Sequence, residues 1–178
     1  RNKSAIEAHF DHSVERDSTL EATGKSAALD VVGDMMRQPG SVIYVRQQQP
    51  AGLGHAVWCA RHLIGDEPVA ILLADDLILG KSCLKEMVDA YDGGNMVAVM
   101  DVPRDQTGAY GIVTPGKSGD GRVEIEGLVE KPAPADAPST TAVVGRYIIS
   151  PSVFDTLGLQ ERGAGGEIQL TDALAKQI

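Results

Sequence analysis

The sequence predicts an α/β domain, a mixed and mostly parallel sheet flanked by helices. Two apolar stretches carry much of that reading: residues 68–73 (PVAILL), which are continuous, and residues 96–102 (MVAVMDV), apolar but for Asp101 and read as another buried strand. Uninterrupted runs of this length read as strands buried on both faces. Between them, residues 82–91 place Leu84, Met87, Val88 and Tyr91 at helical spacing, with Ser82 able to cap the helix. Upstream, residues 41–45 (SVIYV) read as a strand, and residues 54–63 as a helix with Ala56, Val57, Ala60 and Leu63 on one face. A β-α-β-α-β order calls for crossover connections and hence a parallel sheet with helices on its faces.

The second half reads differently. Residues 110–114, Arg122–Glu130 and Thr141–Ile149 are strand-like, and Gly119-Asp120-Gly121 supplies a turn between the first two. Residues 132–139 (PAPADAPS) have no helical or strand period and read as a loop. Ser150-Pro151 opens a short helix, with Ser as N-cap and Pro in the first turn. A glycine-rich loop at 163–166 leads into a last helix expected from Glu167. The first forty or so residues read as helical, and the chain has no internal repeat.

Composition bounds the function. The 178 residues suit one domain, and 43% hydrophobic with 23% charged residues is a globular balance. A net charge of −9 repels nucleic acid and anionic membrane surfaces, so neither is an expected partner. A nucleotide would have to be held by local donors or a metal. No apolar run approaches the roughly 20 residues of a membrane span, and no basic-apolar leader follows Arg1. Cys59 and Cys83 lack metal-ligand spacing, and two lone thiols fit a reducing, cytoplasmic setting.

Three segments bear chemistry. In the first, Val45-Arg46-Gln47 ends a predicted strand, and Gly52-Leu53-Gly54-His55 opens a helix. Glycines there let a ligand approach the main chain, and the Gln47 amide can pair with a base edge. An ordinary strand–loop–helix junction would look the same. In the second, Asp75-Asp76 follow a predicted strand, at the sheet edge where ligands bind in open α/β folds. A carboxylate there can hold Mg²⁺ against phosphate oxygens, or it can simply cap a turn. In the third, Glu130-Lys131-Pro132 could offer a hydroxyl acceptor and a phosphate partner, or be a surface strand end. His9, His12, His55 and His62 have no nucleophile setting and take no catalytic role. Arg1, Lys3, Arg16 and Lys25 read as solvated charge.

In this order the segments are more specific than any one alone. NKSAIEAHFD, VRQ with GLGHAV, DEPVAILLADDLIL, GAYGIV, VEKP, VVGRYI and GAGGEIQLTDAL together resemble the bacterial UTP–glucose-1-phosphate uridylyltransferases (UDP-glucose pyrophosphorylases) of the sugar-nucleotidyltransferase family. The resemblance runs almost end to end. It implies a Rossmann-like nucleotide-diphospho-sugar transferase fold, in a cytoplasmic homo-oligomer, dimer or tetramer. It implies an enzyme that joins UTP and glucose 1-phosphate into UDP-glucose and pyrophosphate with Mg²⁺.

Residue by residue, the resemblance implies that Gln47 and Gly52 recognise uracil and that Asp75 is the Mg²⁺ ligand. Asp76 occupies a position that varies in the family. Gly111 is similar to a glycine whose backbone faces the sugar, Glu130 to the acceptor from glucose hydroxyls, and Lys131 to the lysine at the sugar phosphate. Val144 and Gly145 resemble the backbone edge of the glucose pocket. The family's G-x-G-T-R phosphate loop, with its later Pro-Lys, and a later Asp-Cys-Gly stretch have no counterpart in these 178 residues. The expectation is therefore a catalytic-domain segment over 1–178 without those two parts. The other readings weighed are a dTTP- or ATP-dependent glucose-1-phosphate nucleotidyltransferase, a metal-dependent glycosyltransferase, and a non-catalytic sugar-nucleotide-binding paralogue. VRQ with GLGHAV and the EIQLTDA ending favour the uridylyl branch. The adjacent Asp75-Asp76 pair does not match the Asp-x-Asp usual in such glycosyltransferases.

Overall fold

The computed structural model describes residues 4–36, 38–159 and 161–178, so Arg1 and the Asn2-Lys3 start of NKSAIEAHFD lie outside the described residues. Two compact units form, Arg1–Val45 and Arg46–Ile178. The first holds three helices, α1 (Ser4–His9), α2 (Val14–Ala22) and α3 (Ser26–Met35), in line with the helical reading. Ser13 caps α2 by accepting from the Arg16 amide, and the Tyr44 hydroxyl donates to the Glu7 carbonyl at 3.3 Å. No described side chain of this unit is buried. The strand expected at 41–45 does not form. Val42, Ile43, Tyr44 and Val45 are exposed, and an apolar run becomes a strand only where a neighbour takes its backbone bonds.

The second unit carries the sheet. Its helices are α4 (Leu53–Cys59), α5 (Cys83–Ala90), α6 (Ser152–Gly158) and α7 (Leu170–Ala175). Its strands are β1 (Val69–Leu72), β2 (Met96–Asp101), β3 (Gly111–Gly119), β4 (Arg122–Glu130) and β5 (Thr141–Ile149). Local signals hold well. Ser82 accepts from the Lys85 amide and starts α5. Asp120 and Gly121, with φ of 52° and 72°, close the β3–β4 hairpin between paired Gly119 and Arg122. Two successive positive φ values mark the turn type that matches strand twist. The helix expected at 54–63 ends at Cys59 and tightens into a 3₁₀ turn at Arg61–Leu63. The last two helices start later than expected, at Ser152 and Leu170.

The α/β architecture is as expected, but the strand directions are not. Every strand pairing among the described residues is antiparallel. The reason is the position of β5. Tyr147 pairs with Ile71 of β1 and Val97 of β2, and Ile148 with Ala70 and Met96. Hence β1 and β2 run the same way, as a β-α-β crossover requires, but β5 lies between them and opposes both. A second expectation also fails, since neither strand is buried on both faces: β1 alternates between half-buried and exposed residues, with Leu72 keeping 50% of its surface, and β2 runs from half-buried to exposed at Met100 and Asp101.

β5 is the spine of the core. Ala142, Val143, Tyr147, Ile148 and Ile149 are buried along it. Val143, Tyr147 and Ile149 pack with Val113 and Leu128 from the hairpin, with Val153, Phe154 and Leu157 of α6, and with Leu170, Ala173 and Leu174 of α7. Its flank opposite β2 is shared. Ala142 pairs with Ile112 of β3, while Arg146 to Ile149 pair with β1. So β1 ends and β3 begins on the same flank, with residues 143–145 between them. No helix among the described residues is long and apolar enough to cross a membrane.

Tyr147 sits at this spine with its phenol pushed up to about 12, first by burial and then by the nearby Glu130 and Asp76 carboxylates. The neutral phenol is the form the fold favours. Its contribution is complete below pH 10 and is lost as pH rises towards 12, because the unfolded chain ionises first. The loss amounts to about 2–3 kcal/mol. In an alkaline absorbance titration Tyr147 should be the last tyrosine to ionise, and Tyr147→Phe should remove that last step. Stability between pH 10 and pH 12 should fall less steeply in the variant than in the wild type. Equal slopes would place the late tyrosine elsewhere.

Candidate functional site

The divided flank of β5 gathers most of the residues singled out in the sequence. After β1, Ala74 and Asp75 form a tight turn and Asp76 follows it. The Leu73 amide donates to the Gly145 carbonyl at 2.9 Å, extending the ladder by one step. The Gly145 amide then donates to Asp76 Oδ2 at 2.8 Å. Gly145 must be bare for this. A Cβ there would collide with that carboxylate oxygen and approach Leu73 Cβ at 2.7 Å. Val144 lies beside it, half-buried. The two adjacent aspartates thus have different positions: Asp76 is tied down and half-buried, while Asp75 stands exposed in the turn.

On the other side of the gap, Gly111 starts β3 and pairs in register with Glu130 at the end of β4. A Cβ on Gly111 would meet Thr171 Cγ2 at 2.8 Å and Glu130 Oε2 at 3.3 Å, so only glycine fits without a shift. The Thr171 hydroxyl donates to Glu130 Oε2 at 2.7 Å. Thr171 is 6% exposed, at the start of α7, and no role was read for it from the sequence. Lys131 Nζ lies 3.7 Å from Glu130 Oε1, with half of its side chain exposed. An ion pair this open contributes little, and the ammonium keeps access to solvent. Lys131 has φ of 47°, and its amide donates to the Tyr110 carbonyl at 2.9 Å. That left-handed step, uncommon for a non-glycine residue, turns the chain away from β4. Beyond burial, the carboxylates of Glu130 and Asp76, one from each side, add to the upward push on the Tyr147 phenol.

Gln47 and Gly52 form a third group. Gln47 Nε2 donates to the Gly52 carbonyl at 3.0 Å and meets His55 Nδ1 at 2.9 Å. His55, given no role in the sequence, therefore helps to fix the Gln47 amide with its nitrogen inward. Gly52 has φ of 97°, and a Cβ would meet the Ile168 carbonyl at 2.6 Å, which makes glycine obligatory. The loop is bonded to the segment before α7 through Gly54 amide to Ile168 carbonyl at 2.9 Å and Ile168 amide to Ala51 carbonyl at 2.8 Å. Through that segment the third group and Thr171 share one support.

Metal chemistry can be tested against these donors. Among the described residues no group of three or more His, Cys, Asp or Glu could hold a metal ion. Asp75 offers one exposed carboxylate, and Asp76 spends an oxygen on the Gly145 amide. Mg²⁺ keeps several waters and is commonly bound by one or two carboxylates plus substrate phosphates. The donor set fits a divalent ion arriving with a nucleotide, not a protein-enclosed metal.

Comparison with known proteins gives the family of the chain. The family model for nucleotidyl transferases matches residues 17–178. A UTP–glucose-1-phosphate uridylyltransferase of Komagataeibacter xylinus is 48% identical over 181 residues, which cover 100% of this chain and 64% of that protein. One from Bacillus subtilis (strain 168) is 44% identical over 179 residues, covering 99% of this chain and 61% of that protein. A crystal structure of a UDP-glucose pyrophosphorylase complexed with UDP-glucose superposes with a TM-score of 0.87 at 39% identity, covering 99% of this chain and 66% of that one. The chain thus spans less than two thirds of the length of these relatives. With the family model matched over most of its residues and the fold shared with this structure, the chain belongs to the nucleotidyl transferase family.

Proposed function

We propose that the protein at its native length joins UTP and glucose 1-phosphate, giving UDP-glucose and pyrophosphate. The observation that carries this reading is the convergence at one gap in the sheet. An exposed carboxylate, a hydrogen-bonded glutamate with an adjacent lysine, and two obligatory glycines line the place where β1 ends and β3 begins. The uridylyltransferase names of the relatives support the choice of substrates.

In the reaction, a phosphate oxygen of glucose 1-phosphate attacks the α-phosphorus of UTP. The new P–O bond forms as the bond to pyrophosphate breaks. The attacking oxygen is already anionic, so no protein nucleophile or base is needed, and catalysis is alignment plus charge neutralisation. Glu130, held through Oε2 by Thr171, presents Oε1 to a glucose hydroxyl. Lys131 faces the sugar phosphate. The Gly111 backbone and the Val144-Gly145 edge lie along the sugar. Gln47, with both Nε2 hydrogens engaged by Gly52 and His55, turns its amide oxygen to the N3–H of uracil, beside Gly52. Asp75 would hold Mg²⁺, which when bound offsets repulsion between the two phosphate-bearing substrates. This also accounts for a chain of net charge −9 taking anionic substrates. A cytoplasmic setting belongs to the same proposal, supported by two free cysteines among the described residues.

Pyrophosphate release from UTP and glucose 1-phosphate tests the reading. Asp75→Asn should leave a cooperative melt unchanged and cut turnover by roughly 100-fold or more; a folded variant of near-normal turnover removes Asp75 from the site. Lys131→Ala should raise KM for glucose 1-phosphate about tenfold while KM for UTP moves less than about twofold. Equal rises for both substrates would give Lys131 a structural role instead.

A further inference from the structure

Arg146 is a charge inside an otherwise apolar stretch of β5, opposite Leu72 of β1. Its guanidinium serves carbonyls. Nη1 donates to the Leu73 carbonyl at 3.0 Å and to the Gly145 carbonyl at 2.7 Å. Nη2 donates to the Asp76 carbonyl at 2.6 Å. Leu73 and Asp76 are the two ends of the four-residue turn that carries Asp75, so one planar group holds both ends. The Asp76 carboxylate adds a further tie, to the Gly145 amide. Hydrogen bonds from a charged donor are stronger than neutral ones, and the guanidinium fork fixes direction as well as distance. Lysine, a single flexible ammonium, cannot reproduce that fork. Asp75 itself takes no part in these ties and is exposed.

We propose that Arg146 is a positioning residue for Asp75: it fixes the 73–76 turn so that the Asp75 carboxylate stands where a nucleotide-borne divalent ion is met. The inference rests on the nucleotidyltransferase reading above. It assigns the two aspartates separate tasks, Asp76 with Arg146 holding the turn and Asp75 contacting the ion. A displacement of about 1 Å in such a group can cost on the order of 100-fold in rate, so losing the clamp should act on turnover more than on substrate binding.

The test is a double-mutant cycle at native chain length, comparing wild type, Arg146→Met, Asp75→Asn and the double variant. Turnover and KM are read by pyrophosphate release, and Mn²⁺ binding in the presence of UTP by electron paramagnetic resonance. Arg146→Met should lower kcat roughly 10- to 100-fold, leave KM for glucose 1-phosphate within about twofold, and weaken Mn²⁺ binding about tenfold. In the Asp75→Asn background the same change should cost less than about twofold, because the group it positions is already gone. A loss of equal size in both backgrounds, or wild-type kcat and Mn²⁺ binding in folded Arg146→Met, overturns the proposal. Should Arg146→Met fail to fold, Arg146→Lys enters the same cycle, with a smaller loss that again vanishes without Asp75; equal loss in both backgrounds again overturns it. A wild-type protein that releases no pyrophosphate overturns the nucleotidyltransferase reading, and this proposal with it. An active wild type with an unaffected Arg146→Met overturns this proposal alone.

Discussion

The site depends on β5 having two different partners on one flank. A strand normally keeps one neighbour along each side. Here Ala142 meets β3 and Arg146 onward meets β1, which leaves residues 143–145 facing a break in the sheet. At that break the ladder gives way to separate ties: the Gly145 carbonyl accepts from the Leu73 amide and the Gly145 amide donates to the Asp76 carboxylate, so the elements ending or starting there bring their loop residues to the same place. This is the physical content of the rule that open α/β folds bind ligands where the strand order changes. It also explains why glycine recurs there. At Gly145 and Gly111 the neighbouring side chains occupy the volume that a Cβ would need.

Rigidity is supplied from behind. The face of β5 that carries Val143, Tyr147 and Ile149 packs on α6 and α7. The buried phenol of Tyr147 feels both Glu130 and Asp76, one from each side of the break. Carboxylates so placed need compensation. Asp76 receives a backbone amide, and Glu130 receives the Thr171 hydroxyl with Lys131 nearby. Charged groups in a partly desolvated site are useful only when such donors hold them in one orientation. The acidic balance of the whole chain is then compatible with phosphate chemistry, since the local donors and a nucleotide-borne ion act over a few ångströms while the net charge acts through screened solvent.

Local chemistry was legible in the sequence, and long-range pairing was not. The Asp120-Gly121 turn, the Ser82 cap and the apolar runs of β1 and β2 are encoded by neighbours in sequence, and the structure has them. The direction of the sheet is not so encoded. A β-α-β order fixes that β1 and β2 run the same way, but not that β5, arriving from residue 141, inserts between them. Residues 41–45 have the composition of a strand and no strand partner among the described residues, which composition alone cannot reveal. The motifs located Asp75, Glu130, Lys131 and Gly145, and the resemblance set Asp75 apart from Asp76, but the task of Asp76 was not legible, because it lies in accepting the Gly145 amide. Arg146 was in view as the lone charge of its strand, a signal that could have marked it. Thr171 and His55 act only through partners 41 and 8 residues away, and nothing local announces them.

Gly145→Ala tests the central claim most directly. Its backbone tolerates alanine, so any effect arises from the methyl group meeting the Asp76 carboxylate and Leu73. If the break beside β5 is the site, and bare backbone at Gly145 holds the turn there, the variant should keep a cooperative melt while its rate of pyrophosphate release from UTP and glucose 1-phosphate falls by roughly 100-fold. A folded Gly145→Ala protein releasing pyrophosphate at the wild-type rate would contradict the account, because the turn would then be free to move without consequence.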